Sequence, residues 1–544
     1  MRSTDNLRSK EAAFVLKVNS AISLGAAITL IAGTAGFASA AVRHAPPAGG
    51  SLTIAFSQEP DTLNPAQTGL TAVAEIDRNI FDTLVWETPA GKITPDLATR
   101  WTITNGGKTY TFYLRHGVTF QDGTPFNAQA VVFNFNYIEA PSTHSISAIG
   151  DLGPFKSAKA LGPYTVQLNL KTPYAPLLTY LGQPTLGMQS PTAIKKGGVD
   201  YGLHPVGTGP FEVKSYTPNS KLVLVRNPRY HWAPPALHRN GPAYLKQITY
   251  DIVGSGQSRI DELLSGQAQV ADAAPPLFYK RLGAGPQYKQ FPVDIPGAGE
   301  YAVINNSKWP TNSVAVRKAI LYFINRKGLV ELADQGVFPV IWGPLQPGTL
   351  GYDPAFNGMY PYAPAKGAAI LKAAGWKKVH GIWTKDGKQL SLVITNPANV
   401  IDLPALSQAI QSYLEKAGMK VKIEQFADAA WHAANVKGVE NIEPLEFSSV
   451  DPSLLQIEFT PGQYFNWSKY SNPTVTRLLN EAGADTNPKS RLQLYFKAET
   501  ILMDQAVMIP EHMNEDLVLI KSNLKGVTVY QGGYMDYYSA YLAK

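Results

Sequence analysis

Along the chain the spacing of apolar residues switches repeatedly between alternation and a period near 3.6. "SLTIAF" alternates and predicts a strand over 52–56, running into a polar loop closed by Pro60 and Pro65. Val73, Ile76, Ile80 and Leu84 then share one face of a predicted helix. "KTYTFYLRHGVTFQDGTPF" reads as a meander turning at Asp122-Gly123, and "NAQAVVFNFNYI" as a helix with Asn127 as its N-cap. Residues 164–170 form another strand, and "VRKAILYFINRKGLVELA" one long helix. "PAKGAAILKAAGWKK" is a helix ended by Gly375. "LSLVITN" and "MKVKIEQF" are buried strands on either side of the helix "PALSQAIQSYLEKAG", and "KSRLQLYFKAETILMDQA" closes the series as an amphipathic helix. Helices and strands intermingle without an internal repeat, so the class is mixed α/β.

One stretch, "HPVGTGPFEVKSY" at 204–216, has the look of a phosphate-binding loop. Such a loop needs consecutive backbone N–H groups, and Pro210 removes one. Phe211, Val213, Tyr216, Leu222 and Leu224 follow with strand spacing, so Gly207 and Gly209 are expected to permit a tight turn into a hairpin.

Length and composition narrow the function. A chain of 544 residues buries a large core and forms more than one lobe. Charged residues make up only 16%, below the usual ~25%, while Tyr alone counts 27. The formal charge is +7, yet no basic run marks a nucleic-acid interface. Residues 1–40 carry a basic leader, then an uncharged stretch from Val18 to Val42 containing Ala38-Ser39-Ala40. That layout predicts a cleaved signal peptide, with an uncleaved membrane anchor as the rival reading. Cysteine is absent, which excludes disulfides, thiolate metal sites, a Cys nucleophile and a lipidated cysteine.

The markers "SQEPDTLNP", "DLATRWTITNGGKTYTFYLRHGVTFQDGTPFNAQAVVFNF" and "HPVGTGPFEVKSYTPNSKLVLVRNPRYHW" occur in that order. They are followed by "INNSKWPTNSVAVRKAILYFINRKGLV", "AAILKAAGW" and "WSKYSNPTVTRLLNEAGADTNPKSRLQLY". Together, from about 51 to 529, they resemble the large solute-binding proteins of ABC importers that carry peptides, nickel complexes and related solutes. The resemblance implies a bilobal periplasmic-binding-protein fold of type II with an extra subdomain, closing on a solute by hinge motion. It implies lobe I from 41–76, 204–300 and 512–544, an extra subdomain from 77–203, and lobe III from 301–511. It further implies a monomer without cofactor, exported to the periplasm or cell exterior, with a small solute and an ABC permease as partners. A peptide is the default solute; a nickel chelate, a sugar or a blocked peptide is the alternative.

The chemistry in the residues themselves is sparse. Nine His are scattered, with no metal-ligand spacing and no His-Glu-x-x-His motif; no Gly-x-Ser-x-Gly motif occurs either. A secreted α/β hydrolase is the competing class, because Ser, His and Asp can converge from distant positions. No catalytic or metal residue is expected. The resemblance points to a cleft with Glu59, Glu300, Tyr301, Phe447, Ser448, Asp451, Glu511, His512 and Asn514 as ligand-contact candidates. Trp86, Trp101 and Trp376 are expected in the core, and Arg317 and Arg326 in structural roles. In peptide-binding relatives, the segment matching "EFSSVDPSLL" reads Trp-x-x-Asp-x-x-Asp-Pro, and its first Asp receives the ligand's α-amino group. Asp451 and Pro452 match, which puts Ser448 at the amino-anchoring position and Leu445 at the Trp. Residues 395–411 also lack the Arg with which dipeptide-binding relatives hold the ligand carboxylate. A hydroxyl cannot replace a carboxylate opposite a buried ammonium, so the solute is expected to present no free α-ammonium at this point. The competing reading is that Glu446, Glu59 or Glu511 takes over the anchor.

Overall fold

The computed structural model describes residues 48–544 apart from 398–402, 464 and 531; the expected leader lies outside them. Three sheets organise the chain. A seven-stranded sheet runs in the order Tyr288–Asp294, Glu515–Lys521, Val270–Ala271, Ser51–Phe56, Gln247–Ile252, Lys221–Arg226, Phe211–Thr217. A five-stranded sheet has the order Lys420–Phe426, Ser391–Pro397, Ile442–Ser448, Gly297–Ile304, Met508–His512. Between sheet-one strands in sequence lies a four-stranded antiparallel sheet of Ala98–Thr104, Thr109–Leu114, Thr165–Leu170 and Phe155–Gly162. Its buried side chains share one core with the seven-stranded sheet, while residues 298–509 build a second. Among the described residues no helix is long and apolar enough to cross a membrane.

Most predicted elements form, and the exceptions have local causes. Asn127 caps its helix as expected, its side chain accepting from Ala130 N–H at 3.0 Å. Gly375 adopts φ +88° beyond the helix Pro364–Ala373. The helix expected to reach Leu84 stops at Ile80. There the Ile80 carbonyl is taken by Gly209 N–H at 2.9 Å and by the Gln121 side-chain amide at 3.0 Å, so it cannot continue the helical ladder. The long helix expected after Val316 is two, Val314–Phe323 and Arg326–Asp334. Between them Ile324 is extended, and Asn325 caps the second helix by accepting from Gly328 N–H at 3.2 Å. A capping Asn competes well with helix continuation, because it satisfies a donor that would otherwise be orphaned.

The glycines at 207 and 209 are needed for close approach. A Cβ on Gly207 would lie 2.2 Å from the Ile80 carbonyl oxygen, and one on Gly209 2.6 Å from the carbonyl carbon. Between them Thr208 donates to Asp82 at 2.8 Å, and the same buried carboxylate accepts from Tyr230 Oη and Trp232 Nε1, each at 3.0 Å. The turn and the "RYHW" stretch therefore act as one clasp around Asp82, tying the hairpin Phe211–Arg226 to the end of the first helix. Gly207→Ala is expected to cost about 2–3 kcal/mol, the upper range of overpacking at a site that cannot relax. Urea denaturation reads this directly, and a change below about 0.5 kcal/mol would refute the close-approach role.

Candidate ligand-binding site

The chain passes between the two large sheets twice. Tyr288–Asp294 belongs to the seven-stranded sheet and Gly297–Ile304 to the five-stranded one, so Ile295 and Pro296 make the first passage. Met508–His512 and Glu515–Lys521 bracket the second at Met513 and Asn514. The strand Gly297–Ile304 thus runs through the boundary expected at 300/301. Ile295 N–H donates to Asn514 O at 3.0 Å, joining the passages. The fully buried Gln346 completes the junction. Its side-chain amide donates to Ile295 O at 2.9 Å and Asn514 O at 3.3 Å, and its oxygen accepts from Asn514 N–H at 2.8 Å.

Beside this junction lies a cavity of about 490 Å³. Thr68–Ala74 and the short helix Ser147–Asp151 form one wall with Tyr174, Tyr180, Gln183 and Thr185. Phe447–Val450, Ser453 and Phe465 form the other, and Pro296 and Tyr534 close the back. The walls already touch: Tyr180 Oη and Ser449 Oγ share a 3.2 Å hydrogen bond, and Ala175 N–H donates to Gly483 O at 2.8 Å. Phe447 and Phe465 meet edge to face at 5.3 Å, while Tyr174 and Tyr180 stack at 6.2 Å with planes 5° apart. This volume is that of a small-molecule site.

Of the residues predicted to contact ligand, Phe447 and Ser448 line this cavity. The others lie elsewhere. Asp451 is fully buried and its two oxygens accept from Arg491 at 2.6 and 2.9 Å, a bidentate pair within the second core. Tyr301 is buried and donates its hydroxyl to Glu458. Glu511 is buried near Arg326, and burial pushes its carboxyl far above the usual range. His512 stacks on Phe338 at 5.0 Å with Nε2 3.3 Å from Asp334. Glu300 pairs with His512 in the ladder, Asn514 forms the second passage, and Glu59 accepts from the Tyr216 hydroxyl at 2.7 Å. Of the three carboxylates considered as replacement amino anchors, none lines the cavity; Glu446 accepts from the Asn514 side chain at 3.0 Å. Sequence reasoning missed Asp151, Thr185 and the three tyrosines, which lie in stretches without periodic signal. Among the described residues no group of three or more His, Asp or Glu is placed to hold a metal. Arg317 and Arg326 are structural, donating to the carbonyls of Gln505 and Pro510 respectively.

The Asp451–Arg491 pair is a stability device. Breaking one side of a buried pair leaves the other charge unpartnered, at about 3–5 kcal/mol. Arg491→Met is therefore expected to destabilise by about that amount, and Arg491→Met with Asp451→Leu by less than the single change. Denaturant unfolding of the four proteins of this cycle checks the ordering.

Burial, without a compensating cation at contact distance, raises Glu87, Asp151, Glu440, Glu515 and Asp516 each to about 7. Glu515 faces Asp294 in the strand register at the junction. Because these carboxyls hold protons in the folded chain that the unfolded chain has lost, stability falls as pH rises from about 4.5 through 7. The melting temperature is expected to be higher at pH 5 than at pH 8, as calorimetry across that range would show.

The fold has counterparts among known proteins. The glutathione-binding protein GsiB of Shigella flexneri is 27% identical over 496 residues, covering 87% of this chain and 91% of its own. NikA of Brucella suis, solved with Fe(III)-EDTA, superposes with a TM-score of 0.79 at 22% identity, over 91% of this chain and 100% of its own. DppA of Helicobacter pylori, solved with the peptide STSA, gives a TM-score of 0.70 at 25% identity, over 92% and 99%. The bilobal α/β fold is common to them. A model of the bacterial extracellular solute-binding proteins, family 5, matches residues 92–443, more than half of the chain, which therefore belongs to that family.

Proposed function

We propose that the protein is an exported, non-enzymatic receptor that captures a peptide-sized solute and delivers it to an ABC permease as a monomer. The observation that carries this reading is the cavity lined from both sides of the double passage, where closure about 294–297 and 512–515 would bury a solute. On this reading residues 48–294 and 515–544 move as one body and 297–512 as the other, with 77–203 riding on the first. The leader at 1–40 directs export, and the lack of cysteine leaves no lipid tether on that residue type. The peptide and glutathione ligands in the names of DppA and GsiB support a solute of this size. Ser448 faces the cavity where relatives carry the amino-anchoring Asp, so no α-ammonium is held at that wall.

Closure has a measurable consequence. A ligand can shift the open–closed equilibrium only through contacts made better in the closed form. Native mass spectrometry of the purified protein identifies what co-purifies. Adding that solute at a hundredfold excess over its Kd is expected to stabilise the chain by ~2.7 kcal/mol and to reduce the radius of gyration. An unchanged radius in small-angle scattering at saturation would overturn the closing receptor.

A further inference from the structure

The cavity is nearly free of charge. Of its described lining residues, Asp151 alone carries an ionisable acid or base other than a tyrosine phenol; no Lys, Arg or His reaches it. The carboxylate sits at the end of the helix Ser147–Asp151, where backbone carbonyls also favour a cation. It accepts one hydrogen bond, from Thr185 Oγ1 at 2.6 Å. A carboxylate has room for about four. No basic group offsets its burial, so the carboxyl is raised to about 7. The phenols of Tyr174, Tyr180 and Tyr534 line the same cavity, and burial raises each of them, with a smaller push from the negative charge of Asp151. One carboxylate and three tyrosines lining the same cavity suit an organic ammonium, which gains an ion pair and can lie against aromatic rings. The opposite wall offers hydroxyls and Phe447 and Phe465, which suit a neutral, apolar body.

We infer that Asp151, flanked by Tyr174, Tyr180 and Tyr534, anchors the ammonium of the solute, and that the solute is a monocation with no free carboxylate. This rests on the reading of the cavity as the solute site. The amine therefore enters from the wall opposite Ser448. A solute carboxylate would meet no basic side chain among the described lining residues, and its desolvation would go unanswered.

Proton linkage follows from the same contact. The free carboxyl is largely protonated below pH 7, and an ammonium beside it favours the ionised form. Binding then releases a proton, and affinity rises with pH until about 7. The titratable groups that share the cavity with Asp151 are the three phenols, and the helix Ala128–Glu139, packed against 147–151, carries Tyr137 and Glu139. Behind the tyrosines stand Arg78, Glu87 and the Asp451–Arg491 pair.

The test is calorimetric titration of the purified protein with three probes, Ala-Phe-amide, N-acetyl-Ala-Phe-amide and the free dipeptide Ala-Phe. The amide, a monocation, is expected to bind at least about tenfold tighter than either of the others at pH 7.5, and about tenfold weaker at pH 5.5, from the linkage. Asp151→Asn mimics the protonated carboxyl that the free protein carries below pH 7, so its melting temperature at pH 5.5 should hold. It is expected to bring the amide down to the affinity of the acetylated probe and to abolish the pH dependence. Equal or tighter binding of the acetylated or free peptide by the unsubstituted protein overturns the inference while leaving the solute receptor standing. So does retention of amide affinity by Asp151→Asn. Absence of binding by all three probes, at millimolar concentration, overturns the inference together with the peptide-sized solute itself.

Discussion

The chain connects its two cores through two short backbone segments, and their hydrogen bonding is the constraint on which the site depends. Ile295 and Asn514 leave one sheet and enter the other side by side, where their polar groups have no ladder partner beyond each other. The Gln346 side chain supplies what is missing, donating to both carbonyls and accepting from one N–H. A buried amide that makes three such bonds is costly to lose, since each orphaned group would keep its full desolvation penalty. A junction satisfied by a side chain, instead of by more strand, is also one that can bend without breaking a sheet. Pro296, within it, forms part of the cavity, so the same few residues hold the lobes and floor the site.

Placing the cavity against this junction explains its polarity. The chain buries many carboxyls, but apart from Asp151 those near the solute space are either neutralised by pairing or turned into the cores. Asp451 is matched by Arg491, and Glu511 lies beside Arg326. What faces the solute is mainly hydroxyl, amide and ring. Tyrosine suits this work because it contributes area with few rotamers and one polar tip. In such a setting a single carboxylate dominates the local field, because no other charged side chain is among the described residues that line the cavity.

The sequence markers of the family turn out to be largely architectural. The Gly-Thr-Gly-Pro turn and the Tyr-His-Trp stretch meet at Asp82, and the arginines of "VRKAILYFINR" donate to backbone carbonyls at the far side of the second core. The cavity is lined instead by segments with little pattern, such as "SAIGD" and "FSSV". A scaffold read by strong local rules can therefore hold a site read by none.

The strand and helix periods, the Asn127 cap, the Gly375 stop and the ordered family markers were legible in the sequence, because each depends on residues near one another in the chain. So was the bilobal fold, through its resemblance. The breaks at Ile80 and Ile324 were harder. The first depends on Gly209 and Gln121 arriving from elsewhere to take a carbonyl, and the second on a cap outweighing an unbroken apolar period. Of the residues the resemblance offered as ligand contacts, Phe447 and Ser448 line the cavity, whereas Asp451 does not, its carboxylate being held by an arginine 40 positions on. Asp151 and the tyrosines carried no mark at all. Asp151, Tyr174 and Tyr180 come together through the fold of 147–185 on the first core and Tyr534 through the C-terminal stretch packed there, while the packing of the second core brings Phe447 and Ser448 opposite them; no local spacing encodes either meeting.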